Sequence, residues 1–128
     1  MGNNMIIVDT DVLIEIFDKK SIKGDMALKK IENTGEDIAI TSLILHEILY
    51  GIYKYGKKKL KGIEHLETIE FNQDDAKLSA KLELGCEKKG KKVARIDTMI
   101  AAVVINRKAK LFTFNQKHFQ VFPGLSLL

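Results

Sequence analysis

The sequence predicts an α/β fold with a mainly parallel central sheet flanked by helices. Three observations carry the prediction. Short β-branched runs alternate along the chain with longer segments of helical period, the pattern of parallel strands joined by crossover helices. The first run, Met5-Ile-Ile-Val8, is apolar at every position, as a strand buried on both faces should be. No internal repeat, low-complexity stretch or Pro/Gly-rich linker breaks the pattern, and the only proline is Pro123. At 128 residues, the chain is expected to form a single domain over 1–128 that buries roughly two-thirds of its unfolded surface.

Each element has its own signal. The first strand, Met5 to Val8, ends at Asp9-Thr10-Asp11, and residues Met1 to Asn4 read as an extension before it. Val12 to Phe17 reads as a short helix, and Lys23 to Asn33 as a second one closed by Gly35. Ile38 to Ile40 is the second strand. Thr41 or Ser42 supplies the hydroxyl cap of the next helix, which runs to about Tyr55 and stops at Gly56. A further short helix is expected over Lys58 to Leu66, and a third strand over Thr68 to Phe71. Asn72 caps a long helix from Asp74 to Lys89, whose acidic start and lysine-rich end suit the helix dipole. After the turn at Gly90, a helix opens at Ile96 or Asp97 and reaches Lys108. Leu111 to Phe114 is a fourth strand, with a short final strand near Leu125 to Leu127.

Composition excludes several classes. With 45% hydrophobic and 30% charged residues, a packed core is expected and disorder is not. No apolar run approaches the roughly 20 residues of a membrane helix, the longest being Met99 to Ile105, so a soluble protein with no membrane partner is expected. The single cysteine, Cys86, permits no internal disulfide and has no metal-ligand companion. It reads as a small buried residue and, with no signal peptide, points to the cytoplasm. The net charge of +4 comes from lysine clusters at 57–61, 88–92 and 107–110, which suit a phosphate backbone and equally a solvated face.

Three acids sit where an α/β sheet binds its ligands, just outside the carboxyl ends of strands. Asp9 follows the first strand, Glu47 lies in the opening turns of the helix after the second, and Asp97 in the first turn of the helix before the fourth. Each also has an ordinary reading: Asp9 as a turn residue capping the next helix, Asp97 as an N-cap, and Glu47 as an acid at the edge of an apolar stripe. Glu47 is the most telling. Its neighbours three and four positions away, Leu43, Ile44, Tyr50 and Gly51, include no cation, and a carboxylate on an apolar face needs a partner, a proton or a metal. Clustered carboxylates suit Mg²⁺, a hard ion that takes oxygen ligands and keeps several waters, and such an ion also explains how neighbouring acids stay ionised.

In order along the chain, four segments carry a resemblance: Ile6-Ile-Val-Asp9-Thr-Asp11-Val-Leu-Ile14, Thr41-Ser-Leu-Ile-Leu-His-Glu47-Ile-Leu-Tyr-Gly51, Ile96-Asp97-Thr-Met-Ile-Ala-Ala102 and Leu111-Phe-Thr-Phe-Asn115-Gln-Lys-His-Phe119. The chain resembles the PIN-domain family, and its VapC-type toxin branch in particular. The resemblance implies a PIN-like three-layer sandwich and an endoribonuclease dependent on Mg²⁺ or Mn²⁺. It also implies a homodimer that a VapB-type antitoxin neutralises by reaching into the active site. Asp9, Glu47 and Asp97 match the family's three most regular acids, and the implied chemistry is hydrolysis of RNA by metal-activated water, leaving 5′-phosphate and 3′-hydroxyl ends. The fourth position departs: Asn115 stands where many members carry an acid, and His118 stands just before the closing Phe119. One firm metal ion and a weaker second one are therefore expected, with Asn115, Asp11 and Thr113 in support. His118 reads as a surface residue packed beside Phe119, and no catalytic role is expected of His46 or His65.

Three rival readings stay open on the sequence alone. A strand followed by Asp9-x-Asp11 also resembles phosphatases of the haloacid-dehalogenase type, but these want Thr or Val where Leu13 stands. Their paired acids follow a strand, whereas Asp74-Asp75 opens a helix. Without the fourth acid, the fold could serve as a non-catalytic RNA- or protein-binding module, which metal-dependent turnover lost in Asp9→Asn would exclude. The same chemistry could also serve RNA processing rather than a toxin.

Overall fold

The opening apolar run forms the inner strand β1 (Met5–Val8) of a four-stranded parallel sheet, in a computed structural model that describes residues 4–56 and 62–128. Beside it lie β2 (Asp37–Thr41), β3 (Glu67–Ile69) and β4 (Lys110–Phe112), in the spatial order β3-β2-β1-β4. Ile6 pairs with Ile38 on one side and Lys110 on the other, and Val8 with Phe112. Successive strand residues point to opposite faces, and Ile6, Ile7 and Val8 are all at most 1% exposed, so helices cover both faces of the sheet. This is the expected fold class. Every strand is parallel, so all four carboxyl ends lie along one edge of the sheet.

The helices are α1 (Thr10–Leu13), α2 (Ile22–Thr34), α3 (Ser42–Tyr55), α4 (Gln73–Lys88), α5 (Arg95–Asn106) and α6 (Gln116–Phe119). Local chemistry sets most of their ends. Thr41 Oγ1 accepts from the Ile44 amide at 3.1 Å to cap α3, which Gly56 closes at φ +63°. Asn72 and Asp75 exchange side chain–backbone bonds of 2.9 and 3.0 Å in a capping box that starts α4. α4 packs against α5, where the buried Ser79 and Thr98 share a 3.0 Å hydrogen bond. Phe119 is the largest side chain buried completely.

Several expected boundaries move. The first helix begins at Thr10 because Asp9 caps it, and it widens into a π-helical segment, Ile14–Lys19. β3 is displaced to Glu67–Ile69, and β4 ends at Phe112, two residues short, because Thr113 and Phe114 turn away to bond Asp9 and Asp11. α5 starts at Arg95 and stops at Asn106, and Lys108 takes φ +54° beyond it. The final strand reduces to one bridge, Leu111 to Leu127, with Leu111 N donating to Ser126 O and Leu128 N to Leu111 O, both at 2.9 Å. The helix expected over Lys58 to Leu66 lies partly outside the described residues, as do residues 1–3 and the first lysine cluster; a single 3₁₀ turn, Ile63–His65, is described there. No described helix is long and apolar enough to cross a membrane.

The π-helical segment packs directly against α2. Ser21 donates to Glu15 Oε1 at 2.7 Å and accepts from the Gly24 amide at 3.0 Å. A Cβ on Gly24 would collide with the Glu15 carbonyl and come within 2.9 Å of the Ile16 nitrogen, both backbone atoms that cannot step aside. Gly24→Ala is therefore expected to destabilise the protein by about 2 kcal/mol or more, despite alanine's better helix propensity. Urea unfolding checks it; an unchanged midpoint would show that the two segments are free to separate.

Candidate active site

Asp9 is the residue after β1, and two hydrogen bonds hold its carboxylate. Oδ1 accepts from the Thr10 amide at 2.9 Å, and Oδ2 from Thr113 Oγ1, just beyond β4, at 2.8 Å. Thr113 Oγ1 in turn accepts from the Asn115 amide at 3.0 Å. The Asp9 amide donates to the Phe112 carbonyl at 2.9 Å, which carries strand pairing one residue further and fixes where Asp9 sits. The side chain is 7% exposed. Asp9 thus caps α1, in keeping with its ordinary reading, and is also a buried carboxylate at the sheet edge.

Glu47 reaches the same place from α3, half-buried, with Oε1 accepting from Thr10 Oγ1 at 3.0 Å. Asp97 comes from the first turn of α5. It caps nothing: Ala94 is the N-cap and has no side-chain cap bond, so Asp97 lies one turn inside, where the helix dipole favours a negative charge. Asp11 Oδ2 accepts from the Phe114 amide at 3.2 Å, whereas its buried Oδ1 has no hydrogen-bond partner. A cleft of about 240 Å³ brings Asp9, Asp11, Glu47 and Asp97 together, with Asn115 and His118 at its rim.

Packing four acids here raises the proton affinity of each. Burial is the largest cause at Asp9, Asp11, Glu47 and Asp97, and the charge of Asp9 pushes the other three up further. Opposing effects are smaller: Thr113 and Thr10 hydrogen bonds for Asp9, the Thr10 hydroxyl for Glu47, the Val12 and Phe114 amides and then Lys23 for Asp11, and His118 for Asp97. Among the described residues, no lysine or arginine forms an ion pair with any of the four. Ion-paired carboxylates elsewhere in the chain, such as Asp75 and Glu83, are pushed down instead.

The donor set fits a hard divalent cation. Apart from the His118 imidazole, the side-chain donors lining the cleft are carboxylate, hydroxyl or amide groups, the buried Asp11 Oδ1 has no hydrogen-bond partner, and a bound cation would offset the mutual repulsion. Among the described residues, no three His, Cys, Asp or Glu side chains stand close enough to form a ready-made metal site, so an ion here would take part of its coordination from water.

The structure therefore collects the sequence-predicted Asp9, Glu47, Asp97, Asp11 and Asn115 around one cleft, with Thr113 directly behind Asp9. It also adds a residue that the sequence pattern does not single out. Thr10 links Glu47 to the β1 end, and its one sequence signal is its position between Asp9 and Asp11. His118 is exposed, as expected, but it lines the cleft and its charge acts on Asp97. His46 and His65 are exposed and outside the cleft lining.

A family model described as PIN domain matches residues 6–124. The chain is 30% identical to Ribonuclease VapC2 of Rickettsia felis over 94% of each chain. It is 26% identical to Ribonuclease VapC19 of Mycobacterium tuberculosis, over 94% of this chain and 97% of that one. Among solved structures, VapBC2 from Rickettsia felis, bound to a DNA fragment from their promoter, superposes with a TM-score of 0.79 at 26% identity over 97% of both chains.

Proposed function

The chain belongs to the PIN-domain family, in its VapC ribonuclease branch, and from that premise we propose that it is a divalent-metal-dependent endoribonuclease acting through Asp9, Glu47 and Asp97. The observation that supports this reading is the meeting of three acids from the end of β1, α3 and the start of α5, all at least half-buried and without an ion-pair partner among the described residues. Carboxylates in that state suit a cation, and the fold's sheet edge is where a phosphodiester would approach.

Asp9, Glu47 and Asp97 would hold Mg²⁺ or Mn²⁺. When bound, the ion supplies an activated water and takes up negative charge on the phosphodiester in the transition state. The chain's own residues set the geometry. Thr113 and the Thr10 amide fix both oxygens of Asp9, and the Thr10 hydroxyl orients Glu47. Asn115 adds no charge where a fourth acid would stand, so we assign one firm ion and a weaker second one, with Asp11 and Thr113 in support. Two fully occupied ions in a crystal soaked in Mn²⁺ would overturn that assignment.

The biological setting follows the relatives. VapC2 is found with its partner in the VapBC2 complex, and we assign to this chain a VapB-type antitoxin, a homodimeric state and a toxin role in the cytoplasm. The chemistry is tested by incubating labelled RNA with the protein and Mg²⁺ or Mn²⁺, then with chelator, then with metal restored. Cleavage that follows the metal and leaves 5′-phosphate ends is the expected result. Products ending in 2′,3′-cyclic phosphate would overturn the route, because they require attack by the ribose hydroxyl.

A further inference from the structure

Among the described residues, a cavity of about 720 Å³ forms an open groove between α2 and the β4–α6 segment, and it is not the acidic cleft. The two adjoin: Asn115 and His118 line both. Their charges are opposite. The groove wall carries Lys23, Lys30 and Lys117, together with the amides of Gln116 and Gln120, and no aspartate or glutamate. Lys23 Nζ stands 4.1 Å from the centroid of the Phe114 ring, and Lys30 Nζ 5.4 Å from that of Phe112, so aromatic faces hold both ammonium groups toward the groove. Among the described residues, none of the three lysines is held in an ion pair, whereas Lys19 and Lys110 are. Lys23 is close enough to Asp11 to act on its charge, which places the first cation of the groove next to the acids.

We propose that this groove is the track for the single-stranded RNA segment flanking the scissile phosphate, with Lys23, Lys30 and Lys117 on successive backbone phosphates. The inference rests on the nuclease reading and adds to it the path of the strand. A strand whose reacting phosphate lies over the acidic cleft must place its next phosphates somewhere nearby. An acid-free wall with three unneutralised lysines is where they would be attracted most strongly. The exposed amides of Gln116 and Gln120 add donors that do not depend on base identity, as a backbone track requires. Met26, Phe112 and Phe114 also line the groove and would suit a peptide's apolar side chains, but three lysines with no acid among them favour a polyanion.

The test is binding of a short labelled single-stranded RNA in chelator, where no cleavage occurs, over a salt series. Wild type is compared with the Lys23→Gln/Lys30→Gln/Lys117→Gln variant. The control is Lys29→Gln/Lys77→Gln/Lys88→Gln, which removes equal charge; Lys29 is on α2 itself but outside the groove lining. The slope of log K against log[salt] should fall by about 0.7 for each lysine–phosphate pairing removed, or about 2 for all three, while the control keeps the wild-type slope. Equal slopes for wild type and the groove variant would overturn the proposal, as would an equal fall in the groove and control variants. Cleavage is scored separately: a wild type that cleaves while the groove variant binds normally removes only the track. A changed slope in a protein that never cleaves retains the groove and removes the nuclease.

Discussion

Replacing Asp9 by asparagine is expected to lower metal-dependent RNA cleavage by at least about 100-fold and, at the same time, to stabilise the metal-free protein at neutral pH. The rate loss follows if Asp9 serves, as proposed, as one of three anionic ligands: a bound metal contributes several kcal/mol to the transition state, and each 1.36 kcal/mol is tenfold. The fold should survive, because the amide is nearly the same shape. Its oxygen can still accept from Thr10 N, and its NH₂ can donate to Thr113 Oγ1, which keeps its bond from Asn115. The stability gain follows from the sign of the pKa shift. Burial raises the Asp9 carboxyl in the folded state, so ionised Asp9 opposes folding above that raised value. The penalty is relieved as pH falls through the folded pKa toward the unfolded one. Asparagine carries no such penalty, so its advantage should be present at pH 7 and fade near pH 4. Adding Mn²⁺ should reverse the order: wild type gains about 2.7 kcal/mol at a hundredfold excess over Kd, and the variant gains much less. Thermal unfolding with and without Mn²⁺, alongside the cleavage assay, reads all three effects. A variant that cleaves as fast as wild type would remove Asp9 from the site.

Arg107→Ala is expected to destabilise the protein by about 3 kcal/mol. Asp75 is fully buried, and its oxygens accept from Arg107 Nη1 at 2.9 Å, Arg107 Nη2 at 3.0 Å, Asn106 Nδ2 at 2.7 Å and the Asn72 amide at 2.9 Å. Arg107 Nη2 also donates to the Glu70 carbonyl at 3.2 Å, so one guanidinium ties the end of α5 to the start of α4 and the segment after β3. Removing one partner of a buried pair leaves the other charge uncompensated, at about 3–5 kcal/mol; the Arg107 side chain is 25% exposed, which favours the lower figure. A fall in Tm of roughly 10 °C should accompany it. The pH dependence runs opposite to that of Asp9. Arg107 and Asn106 hold the Asp75 carboxyl below its ordinary value despite its burial. Its contribution is thus present above the unfolded pKa of about 3.9 and is lost as pH falls through the folded one. The gap between wild type and Arg107→Ala should therefore narrow below about pH 4. A gap that stays constant down to pH 3 would show that the arginine stabilises through its packing alone.

The two networks show why some parts of the site were legible in the sequence and others were not. Asp9, Glu47 and Asp97 were found because each stands at a strand or helix end that local pattern already marks. Asp75 looked like one of two acids favoured by a helix N-terminus; its place three residues after Asn72 suits a capping box, but no local signal shows that it is fully buried against Arg107 while Asp74 is exposed. His118 looked like a surface residue and is one, but only the packing of α6 places it beside Asp97. The early end of β4 was equally hidden: Leu111-Phe-Thr-Phe114 has strand propensity throughout, and the hydrogen bonds that draw Thr113 and Phe114 out of the sheet come from the other end of the chain.

By itself, the sequence determined the class of fold, the order of its four strands and those helix ends that a local cap or glycine fixes. Those features rest on interactions within a few residues: apolar runs, the Thr41 hydroxyl, the Asn72 cap, the glycines at positions 35 and 56. Only the tertiary structure decided which of the acids meet and what holds them. Thr10 reaches Glu47 across 37 positions and Thr113 reaches Asp9 across 104. Hydrogen bonds of that range depend on the strand order β3-β2-β1-β4 and on its register, which set the ends of β1, β2 and β4 side by side. Local preference acts residue by residue along the chain, whereas the burial that raises the proton affinity of all four acids exists only once the sheet has closed around them.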